Sequence, residues 1–277
     1  MRQGSGVSVR ALSDVAPKQA DPRWSDLRLR VASALVLGPV AVFCVWQGGW
    51  AWRVFLLVAM AGLGGEWGRL AGLKHPYLLG FILGLVWFCA VLFGPVGGLL
   101  GLVLFWLAVR LHWGQFAGFG VPYAGLGGLS LLWLRGQAEG LADTIFLVMV
   151  VWGTDIGAYL AGRLIGGPKL APRISPGKTW AGSIGGLLIA ASVGSLLAGL
   201  LQGAWVTAFA AGALLSFVAQ AGDLLESAIK RKLGVKDSGR TIPGHGGLFD
   251  RLDGFLAAAP VAAMLALCVQ GGVALWR

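Results

Sequence analysis

Residues 77–109 read YLLGFILGLVWFCAVLFGPVGGLLGLVLFWLAV, 33 positions without one charged side chain. A helix crossing the ~30 Å hydrocarbon core of a bilayer uses about 20 apolar residues, with shorter ones near 17, so the run has room for two crossings. A membrane β-barrel would instead alternate apolar and polar residues over segments of about ten. The stretch therefore points to a helical membrane protein. Composition extends that reading to all 277 residues: 57% are hydrophobic, 12% are charged, and mean hydropathy is +0.77. Soluble domains carry about 25% charged residues, so this chain cannot clothe a globular surface in solvated groups. The same hydrophobicity excludes disorder, and the 46 glycines follow no three-residue period that would suggest collagen.

Outward from that stretch, apolar segments recur at 31–48, 50–68, 77–93, 95–111, 118–135, 142–164, 180–201, 205–225 and 255–275. The expected fold is all-α, a polytopic bundle of about nine transmembrane helices. Arg53 interrupts the second segment, and glycines at 118, 120, 125, 127 and 128 interrupt the fifth. Lys and Arg concentrate in cytoplasmic loops, which gives orientation independently of hydropathy. Of the 22 Lys and Arg, 19 fall in alternate connections together with the N-terminus, whereas Arg53, Arg135 and Arg277 fall in the opposite set. The N-terminus is thus expected in the cytoplasm and the C-terminus outside. Trp46, Trp50, Trp52 and Trp205 fall at outer-side turns, where indoles favour the interface.

Three regions follow: a polar cytoplasmic segment over 1–30, N-terminal and middle transmembrane helices over 31–140, and a catalytic transmembrane region with cytoplasmic loops over 141–277. Residues 1–30 lack the apolar core of a signal peptide. The formal net charge of +10 is orientation charge rather than a nucleic-acid footprint, and no nucleic-acid partner is expected. Cys44, Cys89 and Cys268 lie singly in apolar runs and read as small core residues.

Residues 223–253 depart from an ordinary connection, holding five acids, six bases, one histidine and the run Pro243, Gly244, His245, Gly246, Gly247. Asp223, Glu226, Ser227 and Lys230 are spaced i, i+3, i+4, i+7 and share one helix face. Asp250 and Asp253 repeat that spacing at the head of the last helix, so carboxylates from two helices can meet one cation or substrate. A solvated positive-inside loop accounts for lysines and arginines, but orientation does not need acids, and ionisable groups near membrane depth are functional by default. A second cluster runs from Asp155 through Tyr159 and Arg163 to Lys169, Arg173, Ser175, Gly177, Lys178 and Thr179. Its SPGKT run resembles the end of a P-loop. The first glycine of that motif would fall at Pro172, and no preceding strand is expected, so a P-loop is excluded. Glycine and lysine beside a helix N-terminus nonetheless suit an anion.

Ser227, Ala228, Ile229, Lys230, Arg231, Lys236, Asp237, Gly239, Ile242, Pro243 and the unbroken run His245 to Asp253 together resemble the signature of phosphatidate cytidylyltransferases, the CDP-diacylglycerol synthases. The likeness extends to Asp155, Gly157, Ala158, Tyr159 and Ser175 to Trp180; upstream of residue 140 only Glu66 and Trp67 share it. The resemblance implies an enzyme that condenses CTP with phosphatidic acid to CDP-diacylglycerol and pyrophosphate, using Mg²⁺ with a monovalent cation such as K⁺. It also implies a homodimer in the bacterial inner membrane whose cavity faces the cytoplasm. Carried onto this sequence, Asp223 and Asp250 become the metal carboxylates, with Asp253 and Glu226 as further ligands. Lys230, Arg231, Lys178 and His245 join the two aspartates as catalytic residues. Asp155, Arg173, Ser175, Lys178, Thr179, Ser227, Lys236, Asp237, Arg240, Gly246, Gly247 and Arg251 become substrate-binding residues, without a division between CTP and phosphatidate. Two other readings stand beside this one, a CTP-dependent polyprenol or phytol kinase and an ion-coupled transporter.

Overall fold

The computed structural model of the protein describes residues 22–239 and 241–268. Seven helices are joined by short connections: α1 (Pro22–Gln47), α2 (Gly49–Leu70), α3 (Tyr77–Arg135), α4 (Gly140–Leu164), α5 (Trp180–Leu200), α6 (Trp205–Lys232) and α7 (Phe249–Cys268). Five of them, α3 to α7, are long and apolar enough to cross a membrane, and Val31–Gln47 of α1 is a shorter apolar helix. The chain is therefore an all-α membrane protein, apart from one small hairpin. Of the polar segment expected over 1–30, residues 1–21 lie outside the described residues and 22–30 open α1; the last residues of the ninth apolar segment also lie outside them.

At 59 residues α3 would be about 88 Å long if straight, nearly three bilayer cores. It is broken at Gly94 (φ 70°, ψ −170°) and Gly114 (φ 90°, ψ 177°), conformations that glycine reaches without a Cβ clash. Pro95 follows the first break and disfavours helical geometry in the residue before it. The chain doubles back at both places. A Cβ at Gly98 would lie 2.7 Å from the Ala90 Cβ, and one at Gly118 would lie 2.8 Å from the Arg110 Cβ. The three straight pieces coincide with the apolar segments expected at 77–93, 95–111 and 118–135.

The residues expected to form a loop after α4 form a two-stranded antiparallel hairpin instead: β1 (Lys169–Ala171) pairs with β2 (Ser175–Thr179), with Lys169 opposite Thr179. The sequence reading is corrected here, since a strand does precede SPGKT and SPGKT is itself a strand. Alternation over five residues is too short a signal to separate from a loop. Pro172 still rules out the P-loop. The Thr179 hydroxyl accepts from the Gly182 amide at 3.0 Å and caps α5.

Two apolar cores meet along α7. One gathers Leu56, Met60, Leu63, Trp67, Leu83, Leu102 and Val121 from α2 and α3 around Phe249. The other gathers Phe146, Val150, Ala190, Ala208 and Leu215 from α4 to α6 around Ala258, Ala259 and Ala262. Outward faces leave Leu35, Leu100, Leu164, Phe217 and Met264 exposed, the inverse of a soluble fold and the pattern a lipid solvent permits.

Two sequence readings change. Trp52 is not an interface residue: it is 5% exposed, stacks on Phe55 and donates to the Leu131 carbonyl at 3.1 Å, while Trp46, Trp50 and Trp205 are exposed. Of the cysteines only Cys44 is a core residue; Cys89 is half-buried and Cys268 exposed. Sequence spacing could not separate the lipid-facing side of these helices from the packed side, because both are apolar.

Candidate active site

The end of α6, the beginning of α7 and β2 meet at one end of the molecule. Helical spacing brings the α6 acids and bases together as expected. Ser227 Oγ donates to Asp223 Oδ1 at 3.4 Å, and Lys230 Nζ donates to Glu226 Oε2 at 3.1 Å, both one turn apart. Lys230 also reaches Asp250 Oδ1 at 2.6 Å, tying the two helices. Lys178 arrives from β2 and pairs with Asp223. Thus the hairpin, α6 and α7 each contribute to two ion-paired groups, Lys178 with Asp223 and Lys230 with Glu226 and Asp250, which share the same helix face of α6.

Asp250 is held by more than Lys230. The Ser238 backbone amide donates to it at 3.0 Å, the Ser238 hydroxyl at 3.0 Å and the Gly247 amide at 2.9 Å. Gly246 has φ +88°, and a Cβ there would stand 3.2 Å from Asp250 Oδ2, so only glycine lets the loop wrap the carboxylate this closely. Asp253, one turn on, accepts from the Gly254 amide at 2.7 Å. Ligand oxygens of Asp223, Glu226 and Asp253 lie within 4.8 Å of one another. Glu226 is 3% exposed, and its Oε1 has no hydrogen-bond partner among the described residues. An orphaned buried carboxylate oxygen beside two further carboxylates, all hard oxygen donors without a His or Cys, fits a small divalent cation.

The remaining expected residues divide by position. Asp155 on α4 is exposed and within electrostatic range of Asp223, Lys178 and Asp253. Ser175 is half-buried and Arg173 exposed at the hairpin. Thr179 is buried and occupied as the α5 cap. Arg231 bonds the Ile174 and Val235 carbonyls at 3.2 and 3.3 Å, joining α6 to the hairpin. His245 shares a 2.8 Å hydrogen bond with Ser33 of α1, and its carbonyl accepts from Arg251 Nη2 at 2.8 Å. Arg240 lies outside the described residues.

Lys236 and Asp237 sit away from the carboxylates. They line a cavity of about 880 Å³ together with Arg69, Tyr77, Gly65 and Thr241. Ser238 belongs to the same lining while bonding Asp250, so this short segment forms the wall between cavity and carboxylate network.

Sequence reasoning missed the part played by α2. Glu66 accepts hydrogen bonds from the Leu248 and Phe249 amides and the Ser238 hydroxyl. Its neighbour Trp67 stacks on Phe116 and packs at a tilt against Phe119, Tyr123 and Phe249. The available signal was a lone acid in the apolar run GLGGEWG, at a depth where an acid needs a reason.

Carboxylates and lysines gathered at one end of a bundle of apolar helices define a site for charged groups in a membrane protein. Residues 28–269 match the cytidylyltransferase family, and the chain belongs to that family. It is 42% identical over 248 residues to the phosphatidate cytidylyltransferase of Brucella suis, covering 85% of this chain and 91% of that protein. It is 38% identical over 266 residues to the phosphatidate cytidylyltransferase of Pseudomonas aeruginosa, covering 86% and 96%. A Staphylococcus saprophyticus protein of the same name is 44% identical over 148 residues, 52% of this chain.

Proposed function

We propose that this protein transfers the cytidylyl group of CTP to phosphatidic acid, giving CDP-diacylglycerol and pyrophosphate. The observation that carries the reading is the meeting of two ion-paired groups, Lys178 with Asp223 and Lys230 with Glu226 and Asp250, contributed by three elements around the clustered oxygens of Asp223, Glu226 and Asp253, in a chain of this family. A phosphate oxygen of the lipid attacks the α-phosphorus of CTP. The bond from that phosphorus to the oxygen bridging it to the β-phosphorus breaks, and pyrophosphate departs with the electron pair. The attacking phosphate is already anionic near neutral pH, so little general-base work is required. Juxtaposing two anions is the difficulty, and positioning with charge neutralisation is the remedy.

Lys178 and Lys230 supply compact positive charge that phosphate oxygens accept without bidentate geometry. Arg173, Arg231 and Arg251, with Lys236 on the neighbouring cavity wall, are proposed as further phosphate partners, and Arg240 is proposed with them from the sequence alone. Gly246 and Gly247 bring backbone amides close to an anion. Asp223, with Glu226 and Asp253 clustered beside it and Asp250 held across Lys230, would hold Mg²⁺, which when bound neutralises phosphate charge and orients the leaving group. A companion monovalent cation, a homodimer and a bacterial inner-membrane location follow from the resemblance. Nine crossings with the N-terminus and site on the cytoplasmic side follow from the apolar segments and the cation distribution.

Product analysis tests the reading. Purified protein given CTP, phosphatidate and Mg²⁺ is expected to form CDP-lipid and pyrophosphate in equal amounts. Asp223→Asn and Asp250→Asn should each lose at least about a hundredfold while remaining folded in detergent. Formation of CDP with a newly phosphorylated lipid would make the protein a kinase, and no chemical change would leave a transporter.

A further inference from the structure

We propose that Glu66 is a positioning residue for the transfer site: from α2, its carboxylate fixes the N-terminus of α7 and thereby the orientation of Asp250. The role rests on the proposed transfer, in which Asp250 is a working carboxylate.

Glu66 is completely buried, yet its oxygens receive three donors. Oε1 accepts from the Leu248 amide at 2.7 Å, and Oε2 from the Phe249 amide at 2.9 Å and the Ser238 hydroxyl at 3.2 Å. Amides at a helix start have no partner within the helix and sit at its positive end, so a carboxylate from another element is stabilised there. The division of these amides gives the inference its force. Of three consecutive N–H groups, Gly247 points to Asp250, whereas Leu248 and Phe249 point to Glu66. The start of α7 is thus pinned between two carboxylates, one its own and one from α2.

Ser238 repeats the division on the other side of the loop, its amide on Asp250 and its hydroxyl within 3.0 Å of Asp250 and 3.2 Å of Glu66. With one proton, that hydroxyl serves one carboxylate at a time. The surrounding backbone has no slack. A Cβ at Gly239 would lie 3.0 Å from Glu66 Oε1, and one at Gly247 would lie 2.7 Å from the Gly239 nitrogen and 2.9 Å from Glu66 Oε2. The Phe249 ring is clamped as well, 5.5 Å from Trp67 and 5.9 Å from Tyr123, so α7 cannot rotate to find another acceptor. A glutamine at 66 offers one acceptor oxygen and a donor NH₂, and so must face at least one of these N–H or O–H groups with a donor of its own.

The experiment compares Glu66→Gln and Glu66→Asp in the full chain, reading amide exchange over 238–250 and kinetics per folded molecule. For Glu66→Gln, exchange at Leu248 and Phe249 should accelerate at least about tenfold while α4 and α5 keep wild-type protection. Its kcat should fall at least about tenfold with the KM values for CTP and phosphatidate changed less than about twofold, and Glu66→Asp should recover part of the loss. Wild-type kcat in Glu66→Gln, unchanged exchange at 248–249, or loosening that spreads equally through α4 and α5 without recovery in Glu66→Asp would overturn the proposal. If the wild type forms no CDP-lipid, the transfer reading fails by itself, and the exchange measurement still decides whether Glu66 holds the Asp250 segment.

Discussion

Lys178 carries two competing interpretations at the scale of one residue. As a snorkelling anchor it would lay its stem along apolar surface and leave its ammonium in the interface. It instead pairs with Asp223, at the end of a strand whose next residue caps α5. Lys178→Met is expected to lower turnover by about one to two decades, the worth of a charge-assisted phosphate contact of roughly 1.5–3 kcal/mol. Lys178→Arg should recover part of it, because a point charge rather than a fork is needed there. Turnover normalised to folded protein, with CTP and phosphatidate varied separately, is the check; a loss below about threefold at all concentrations would return the lysine to anchoring. The α6 acids, Asp250 and this lysine were legible in sequence because helical spacing and local density announce them. The tie of the Asp250 loop to Glu66 was not: Glu66 is a lone acid in an apolar run, and its partner Ser238 lies 172 positions along the chain.

Among the elements, glycines decide how closely helices approach. Gly157 of α4 and Gly182, Gly185 and Gly186 of α5 face each other across a crossing with no room for side chains. A Cβ at Gly186 would stand 2.7 Å from the Thr154 carbonyl oxygen, and one at Gly182 would stand 2.8 Å from that of Ala158. Small residues allow such approach in membranes, where packing rather than water drives association. This crossing sets Asp155 on α4 against the hairpin that carries Lys178. Gly186→Leu should therefore lower the detergent melting temperature as an overpacking cost of about 1–3 kcal/mol or more, and reduce transfer with it. Gly199→Ala, with nothing within 4 Å of the added methyl, should melt at or slightly above wild type. Equal melting of the two variants would remove the crossing as a constraint. The apolar segments of α3 were legible from hydropathy, and the reversals at Gly94 and Gly114 agree with their ends. The hairpin was not, since five residues give too little periodicity.

The whole molecule sorts its charges to its two ends, and contacts that have nothing to do with hydropathy repeat the sorting. Arg69 bonds Thr241, Arg231 bonds Ile174, and Lys178 meets Asp223, so connections expected in the cytoplasm touch one another. Arg135, from the opposite set, donates to the Val45 and Trp46 carbonyls at 2.7 and 3.0 Å, closing the end of α1, and Arg53 lies 5.0 Å over the Trp50 ring. Arg135 and Arg53 thus satisfy local groups, whereas Lys178 and Lys230, from the larger set of cations, pair with the carboxylates. An impermeant thiol reagent separates the ends. In a background without Cys44, Cys89 and Cys268, Lys232→Cys, exposed at the end of α6, should label only after the membrane is permeabilised. Ala138→Cys, exposed between α3 and α4, should label in intact cells. Labelling of both positions from the same side, with CDP-lipid synthesis intact, would remove an odd number of crossings between residues 138 and 232 and move the sixth to eighth apolar segments out of the expected alternation.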